Sequence, residues 1–142
     1  MSYKNLLNNL WQETSEEAIF FDGLKEEITT DLVIIGGGYT GCSAALTAAK
    51  NGLSTTLIDH KVGYGGSGRN VGLVNAGLWM PPEKVEGLIG VNAGSKLNEA
   101  LASAPDLVFD TIKQYDIKCH SNRMGTLHCA HSQKGLSDLQ LR

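Results

Sequence analysis

Long apolar runs are missing from this chain. No stretch approaches the roughly 18 uninterrupted apolar residues of a membrane-spanning helix, and Met1 to Asn5 leads into no signal-peptide core, so the cytoplasm is the expected setting. Cysteine is sparse. Cys42, Cys119 and Cys129 are odd in number and form no CxxC pair, so neither a disulfide framework nor a zinc site is indicated. They read as reduced structural cysteines, with Cys42 a small filler in a helix face. Basic charge is not in excess: 12 Lys and Arg stand against 15 Asp and Glu, a net charge of -3 over 142 residues. That scattered, mildly acidic balance argues against a nucleic-acid backbone as partner. With 42% hydrophobic residues the chain still suits one soluble globular domain or part of one. What it has in quantity is glycine, 17 residues in all, and many fall in two blocks.

The first block organises the chain. Asp31-Leu32-Val33-Ile34-Ile35 is followed by Gly36-Gly37-Gly38-Tyr39-Thr40-Gly41, a small-residue run ending at Gly52, then Ser54-Thr55-Thr56-Leu57-Ile58-Asp59. The order is strand, glycine turn, helix, strand, acid. The continuous apolar run predicts a parallel strand covered on both faces. Gly36 permits the tight turn, Gly38 lets backbone approach a pyrophosphate, and Gly41 lets the helix lie against the sheet. Cys42, Ala45, Leu46 and Ala49 recur at helical spacing as the packed face, and Asn51-Gly52 ends the helix. The helix N-terminus offers unpaired N–H groups and partial positive charge to phosphates. Asp59 lies where this fold places an acid to accept hydrogen bonds from a ribose diol, and it would repel a 2'-phosphate. FAD or NAD is therefore expected, not NADP. A lone GxGxxG would be weak in so glycine-rich a chain, but strand, helix and acid all agree with it.

The second block, Gly63-Tyr64-Gly65-Gly66-Ser67-Gly68-Arg69-Asn70-Val71-Gly72, is too glycine-rich for a stable helix or strand. Successive N–H groups there can form an anion-binding concavity, and Ser67, Arg69 and Asn70 add side-chain donors. Taken alone, it reads better as a solvent loop with one arginine in a surface ion pair.

The two blocks together change that reading. Asp31 to Gly41, Asp59 and Gly65-Gly66-Ser67-Gly68-Arg69-Asn70 resemble the FAD-dependent amine and amino-acid oxidoreductases of the D-amino-acid oxidase (DAO) superfamily, in particular the branch that includes gamma-glutamylputrescine oxidase. Tyr115-Asp116-Ile117 and Arg123-Met124-Gly125-Thr126-Leu127-His128 are similar to the strand region after that branch's long helix, so the resemblance runs over most of the chain. It implies FAD as cofactor. Gly36, Gly38, Tyr39, Thr40 and Gly41 would lie at the pyrophosphate and Asp59 at the adenosine ribose. Ser67, Arg69 and Asn70 would run along the pyrophosphate toward the flavin. The branch commonly carries a glycine directly after the asparagine, where this chain has Val71. A β-branched residue disfavours positive φ, which bears on the loop's path near the flavin.

Around these blocks the chain divides into a lead-in segment at 1–30, an FAD-binding βαβ unit with its glycine-rich loop at 31–90, and a helical segment opening a second domain at 91–142. In the first, Leu6, Leu7, Leu10 and Trp11 have helix-like spacing, ahead of a polar stretch and Phe20-Phe21. These apolar residues are expected to pack on the body of the protein. Residues 73–90, with Trp79 and Pro81-Pro82, read as an irregular connection. Leu97, Leu101, Val108, Ile112 and Tyr115 mark one face of a long helix that Pro105 kinks or divides. Ile117 to His120 and Gly125 to Ala130 are predicted as short strands around Ser121-Asn122, and Gly135 to Arg142 as a helix beginning. His128 and His131 lack an acidic partner and ligand spacing, so they read as surface histidines and no metal is expected.

The expected fold class is α/β, a Rossmann-like FAD-binding βαβ unit with parallel strands, then a long helix and the first strands of a truncated substrate domain. Members of the resembled family are about three times as long, in keeping with two domains. The function implied is oxidation of a primary or secondary amine or an amino acid through hydride transfer to flavin, with oxygen as acceptor and peroxide as product. No residue here is named as catalytic acid or base. Two other readings stay open: a nicotinamide-dependent dehydrogenase, against which the second glycine block speaks, and a non-catalytic fragment or one half of a split enzyme whose missing half is a second polypeptide.

Overall fold

Leu32–Ile35 form strand β1 and Thr55–Ile58 form strand β2, paired in parallel in the register Leu32 to Thr55 through Ile35 to Ile58. Parallel neighbours need a crossover, and helix α2, Tyr39–Lys50, supplies it. In this computed structural model residues 9–16 and 21–140 are described; Leu6, Leu7, Glu17, Phe20 and Arg142 lie outside them. The strand entrances are pinned by a reciprocal pair: the Asp31 N–H donates to the Ser54 carbonyl at 3.0 Å, and the Ser54 N–H to Asp31 Oδ2 at 2.9 Å. Helix α2 stops as expected at Asn51-Gly52. Gly52 takes φ +78°, and the Gly52 and Leu53 N–H groups reach back to the carbonyls of Ala49 and Ala48.

The side of α2 that meets the sheet differs from expectation by one residue. Gly41 and Ala48 are buried and Ala45 and Leu46 half-buried, while Cys42 and Ala49 are exposed. The cause is Gly41, which must turn its hydrogen toward the Gly36 carbonyl: a Cβ there would lie 1.8 Å from that oxygen. Ile34 faces the helix, its Cγ2 being 3.3 Å from the same Cβ position. The sheet is covered on one face only among the described residues, since Val33 and Ile35 are 52% and 88% exposed. The expectation of cover on both faces is corrected accordingly. Ahead of the sheet, Leu10–Thr14 form a single helical turn and a half, α1, capped by the Asn9 side chain, which accepts the Gln12 N–H.

The chain separates into two compact units, Met1–Gly72 and Leu73–Arg142. In the second unit two sequence expectations need correction, and of the two alternatives at Pro105 division is ruled out. Residues 82–89 are helical, not irregular: α3 runs Pro82–Ile89 with proline at its first position, where the ring's fixed φ suits a helix and no N–H is needed. Helix α4, Val91–Gln114, passes through Pro105 without dividing. A proline leaves the carbonyl four residues earlier without its helical partner. Here that carbonyl, on Leu101, accepts from the Gly77 N–H at 3.4 Å. The second correction concerns residues 117–130, which contain no strand. No ladder partner for them exists among the described residues, and His120 takes φ +50°. This stretch is tethered by Arg123, which bonds Asp106 and stands 5.0 Å over the Phe109 ring. Helix α5 follows at Gln133–Gln140, where a helix was expected to begin.

Helices α3 and α4 cross closely at Gly94, where a Cβ would meet the Glu86 Cα at 2.6 Å, and Val85 beside it is buried. Because Pro105 sits mid-helix with its orphaned carbonyl already partnered from outside, Pro105→Ala is expected to stabilise α4 by at least about 1 kcal/mol. A thermal melt checks this, and an unchanged or lowered midpoint would show that the Gly77 contact depends on the proline.

Candidate functional site

The glycine turn between β1 and α2 is where the predicted site residues converge. Gly36 leaves β1 with φ +105°, its N–H extending the sheet to the Ile58 carbonyl at 2.8 Å. Gly37 is clamped on both sides: its N–H donates to Asp59 Oδ2 at 2.5 Å, and its carbonyl accepts the Gly63 N–H at 3.1 Å. Asp59, one residue past β2, thus points at the mouth of the turn. Its other oxygen accepts the Lys61 N–H at 2.9 Å. The Gly37 bond first, then the Lys61 bond, hold the Asp59 carboxyl below its ordinary value, with desolvation opposing them. The group is an anion, and each of its oxygens has a further lone pair to offer a hydroxyl.

Gly38 caps α2 from an extended conformation without a side-chain cap of its own. The cap comes from the second glycine block. Gly66–Arg69 form a 3-10 turn that brings Ser67 to the helix, where its Oγ accepts the Tyr39 N–H at 3.2 Å. A Cβ on Gly38 would sit 2.9 Å from that same oxygen. Asn70 locks the arrangement: its Nδ2 donates to the Tyr39 hydroxyl at 2.6 Å and to the Ser67 carbonyl, and its Oδ1 accepts the Gly72 N–H at 2.6 Å. The N–H groups of Gly38, Thr40 and Gly41 meet no acceptor among the described residues. Arg69 is exposed and stacks its guanidinium 4.1 Å from the Tyr64 ring centre. Val71 needs no positive φ, because the left-handed position falls on Gly72 at +74°. The departure from the familiar glycine pair is therefore accommodated without strain.

Three participants were missed from sequence. The sequence reading assigns Gly37 no role, although it holds both Asp59 and Gly63. Tyr64 gave a signal only as the aromatic neighbour of a glycine run. Trp11 was expected to pack somewhere on the body, and it docks on this loop, its Nε1–H donating to the Asn70 carbonyl at 2.8 Å.

A turn of this shape accepts a diphosphate, a helix start supplies N–H donors, and a carboxylate beside it suits a ribose. Residues 31–142 match the DAO family, described as FAD dependent oxidoreductase. The chain belongs to that family. Among its curated relatives, gamma-glutamylputrescine oxidoreductase of Escherichia coli (strain K12) is 33% identical over 84% of this chain and 28% of its own length. A probable oxidoreductase OrdL of Rhizobium meliloti (strain 1021) is 33% identical over 75% of this chain and 26% of its own. Alpha-glycerophosphate oxidase of Streptococcus pneumoniae serotype 4 is 50% identical, over 37% of the chain. No solved structure matches. The chain thus spans little more than a quarter of the first two relatives.

The family is FAD dependent and the βαβ unit is Rossmann-like, so FAD is the cofactor of the family this chain belongs to, and the nicotinamide reading loses its support. The residues present fit FAD. The missing Cβ atoms at Gly41 and Gly38 let the helix start seat against the Gly36 carbonyl and the Ser67 hydroxyl, the N–H donors there meet no acceptor among the described residues, and the acid at Asp59 is ionised. Among the described residues no helix is long and apolar enough to cross a membrane, and no group of three or more His, Cys, Asp or Glu gathers as a metal site.

Proposed function

We propose that this chain forms the adenosine-diphosphate side of the FAD site in an oxidoreductase that oxidises a primary or secondary amine or an amino acid, with oxygen as acceptor. One observation carries the reading: the Asp59 carboxylate and the Ser67 hydroxyl, from two separate segments, meet the start of α2 at the same turn. On this reading Gly36, Gly38, Tyr39, Thr40 and Gly41 hold the pyrophosphate, with the unpartnered N–H groups as donors. Asp59 accepts the ribose hydroxyls. Ser67, Arg69 and Asn70 run toward the flavin, Arg69 fixed in direction by its stacking on Tyr64. Bound there, FAD supplies two-electron oxidation of the carbon beside an amine nitrogen. The amine class is taken from the name of the Escherichia coli relative.

A second reading is favoured by the bare face of the sheet, where Val33 and Ile35 stand exposed. Parallel sheets are ordinarily covered on both sides. In that reading the chain binds FAD but turns over amines only with further polypeptide covering that face and supplying the substrate groups. Titration of the 142-residue chain with FAD, followed by flavin fluorescence, is expected to saturate at one FAD per chain in the micromolar range. Absence of FAD binding at millimolar FAD would remove both readings. Peroxide formation from an amine by the chain alone would remove the second.

A further inference from the structure

The contact that neither the family fingerprint nor the proposed function uses is Trp11 on the end of the glycine-rich loop. The Trp11 ring lies over Gly72, where a Cβ would come within 2.9 Å of Cζ2 and 3.0 Å of Cη2. Its indole N–H bonds the Asn70 carbonyl at 2.8 Å, across 59 positions of sequence. Asn70 is the hub of the loop. Its side chain bonds the Tyr39 hydroxyl, the Ser67 carbonyl and the Gly72 N–H, and Ser67 in turn caps α2. A helix of five residues has no stability of its own in water. Helix α1 is held by its Asn9 cap and by this docking, and Trp11 remains 43% exposed. Burial alone therefore gives the indole a small role, whereas its donor and its fit to a left-handed glycine act directly on the loop backbone.

We infer that Trp11 is a positioning residue for the flavin side of the site: α1 is a clasp that fixes Asn70 and Gly72, and through them the donors Ser67 to Asn70. The inference rests on the FAD reading above. The ribose side is held differently, by the β1 to β2 ladder and the Gly37 to Asp59 bond, and the clasp reaches the helix start only at Tyr39, through the Ser67 and Asn70 side chains. Disturbing the clasp must then separate FAD from ADP, which has the same adenosine diphosphate and no flavin.

The test uses the full chain and measures the dissociation constants of FAD and of ADP by calorimetry, for wild type and for Trp11→Phe, which keeps a ring over Gly72 and removes the N–H. FAD affinity is expected to fall about 3- to 10-fold while ADP affinity stays within about twofold. Gly72→Ala reaches the same contact from the loop side and is expected to give the same selective loss, so the result does not hang on one variant's folding. Unchanged FAD affinity in both variants, or an equal loss for FAD and ADP, overturns the clasp while wild-type FAD binding leaves the parent reading intact. A wild-type chain that binds neither ligand overturns the cofactor reading and the clasp with it.

Discussion

Gly41→Ala is expected to abolish FAD binding and to destabilise the first unit by about 3 kcal/mol or more, at or beyond the upper end of ordinary overpacking. The added Cβ would lie 1.8 Å from the Gly36 oxygen and 3.0 Å from its carbonyl carbon, both backbone atoms. Neither can retreat easily. Gly36 already holds φ +105° and is tied by its N–H to the Ile58 carbonyl at 2.8 Å. The strain must then be relieved by lifting α2 off the sheet, which moves the helix start away from Asp59 and exposes Ile34. Gly68→Ala should behave similarly in the loop, where the Cβ would meet the Gly63 oxygen at 1.5 Å. Gly66→Ala is the control, since nothing lies within 4 Å of its Cβ position. It should stay within about 0.5 kcal/mol of wild type. Thermal melts and flavin fluorescence read all three. A Gly41→Ala chain that melts and binds like wild type would mean that helix and turn do not meet as described.

That contrast also shows why part of the site was legible in advance. Gly36, Gly38, Gly41 and Asp59 are set by local backbone demands: a positive φ, a close approach and the end of a strand each leave a mark on a few consecutive residues. The junction of the two glycine blocks was legible only through family resemblance, because nothing in Ser67 itself says that it will cap a helix starting at Tyr39. What depends on partners far away in sequence was read less well. Residues 117–130 have strand-like composition, but a strand exists only when a ladder partner is present. Pro81-Pro82 looked like punctuation because two prolines stop more structure than they start, yet the second occupies the one helical position that suits it. The face of α2 slipped by one residue since periodicity alone weighs Cys42 and Gly41 by size and not by the carbonyl that Gly41 must clear. Trp11 gave no hint of its target at all.

Asp59→Asn is expected to weaken FAD binding by about 10- to 100-fold, the usual effect of replacing a charged hydrogen-bond acceptor by a neutral one. An amide can still offer its oxygen to the Gly37 N–H, but its NH2 then faces the Lys61 N–H, donor against donor. The variant thereby loses both the anion and one of two acceptors that orient it. Two further readouts separate a ribose contact from a merely structural one. The first is ligand choice: wild type should prefer ADP to its 2'-phosphorylated analogue because a carboxylate repels the extra phosphate, and Asn should narrow that preference. The second is pH. The Asp59 carboxyl is held below its ordinary value in the folded chain by the Gly37 and Lys61 N–H groups, so folding is favoured while the group is ionised. That contribution is complete above the unfolded carboxylate value of about 3.9 and is lost as pH falls through the lower folded value. The stability gap between wild type and Asp59→Asn should accordingly be flat near neutrality and close only below about pH 4. A gap that changed between pH 6 and 8 would point to another group, and an unaltered choice between ADP and its 2'-phosphate would take Asp59 away from the ribose.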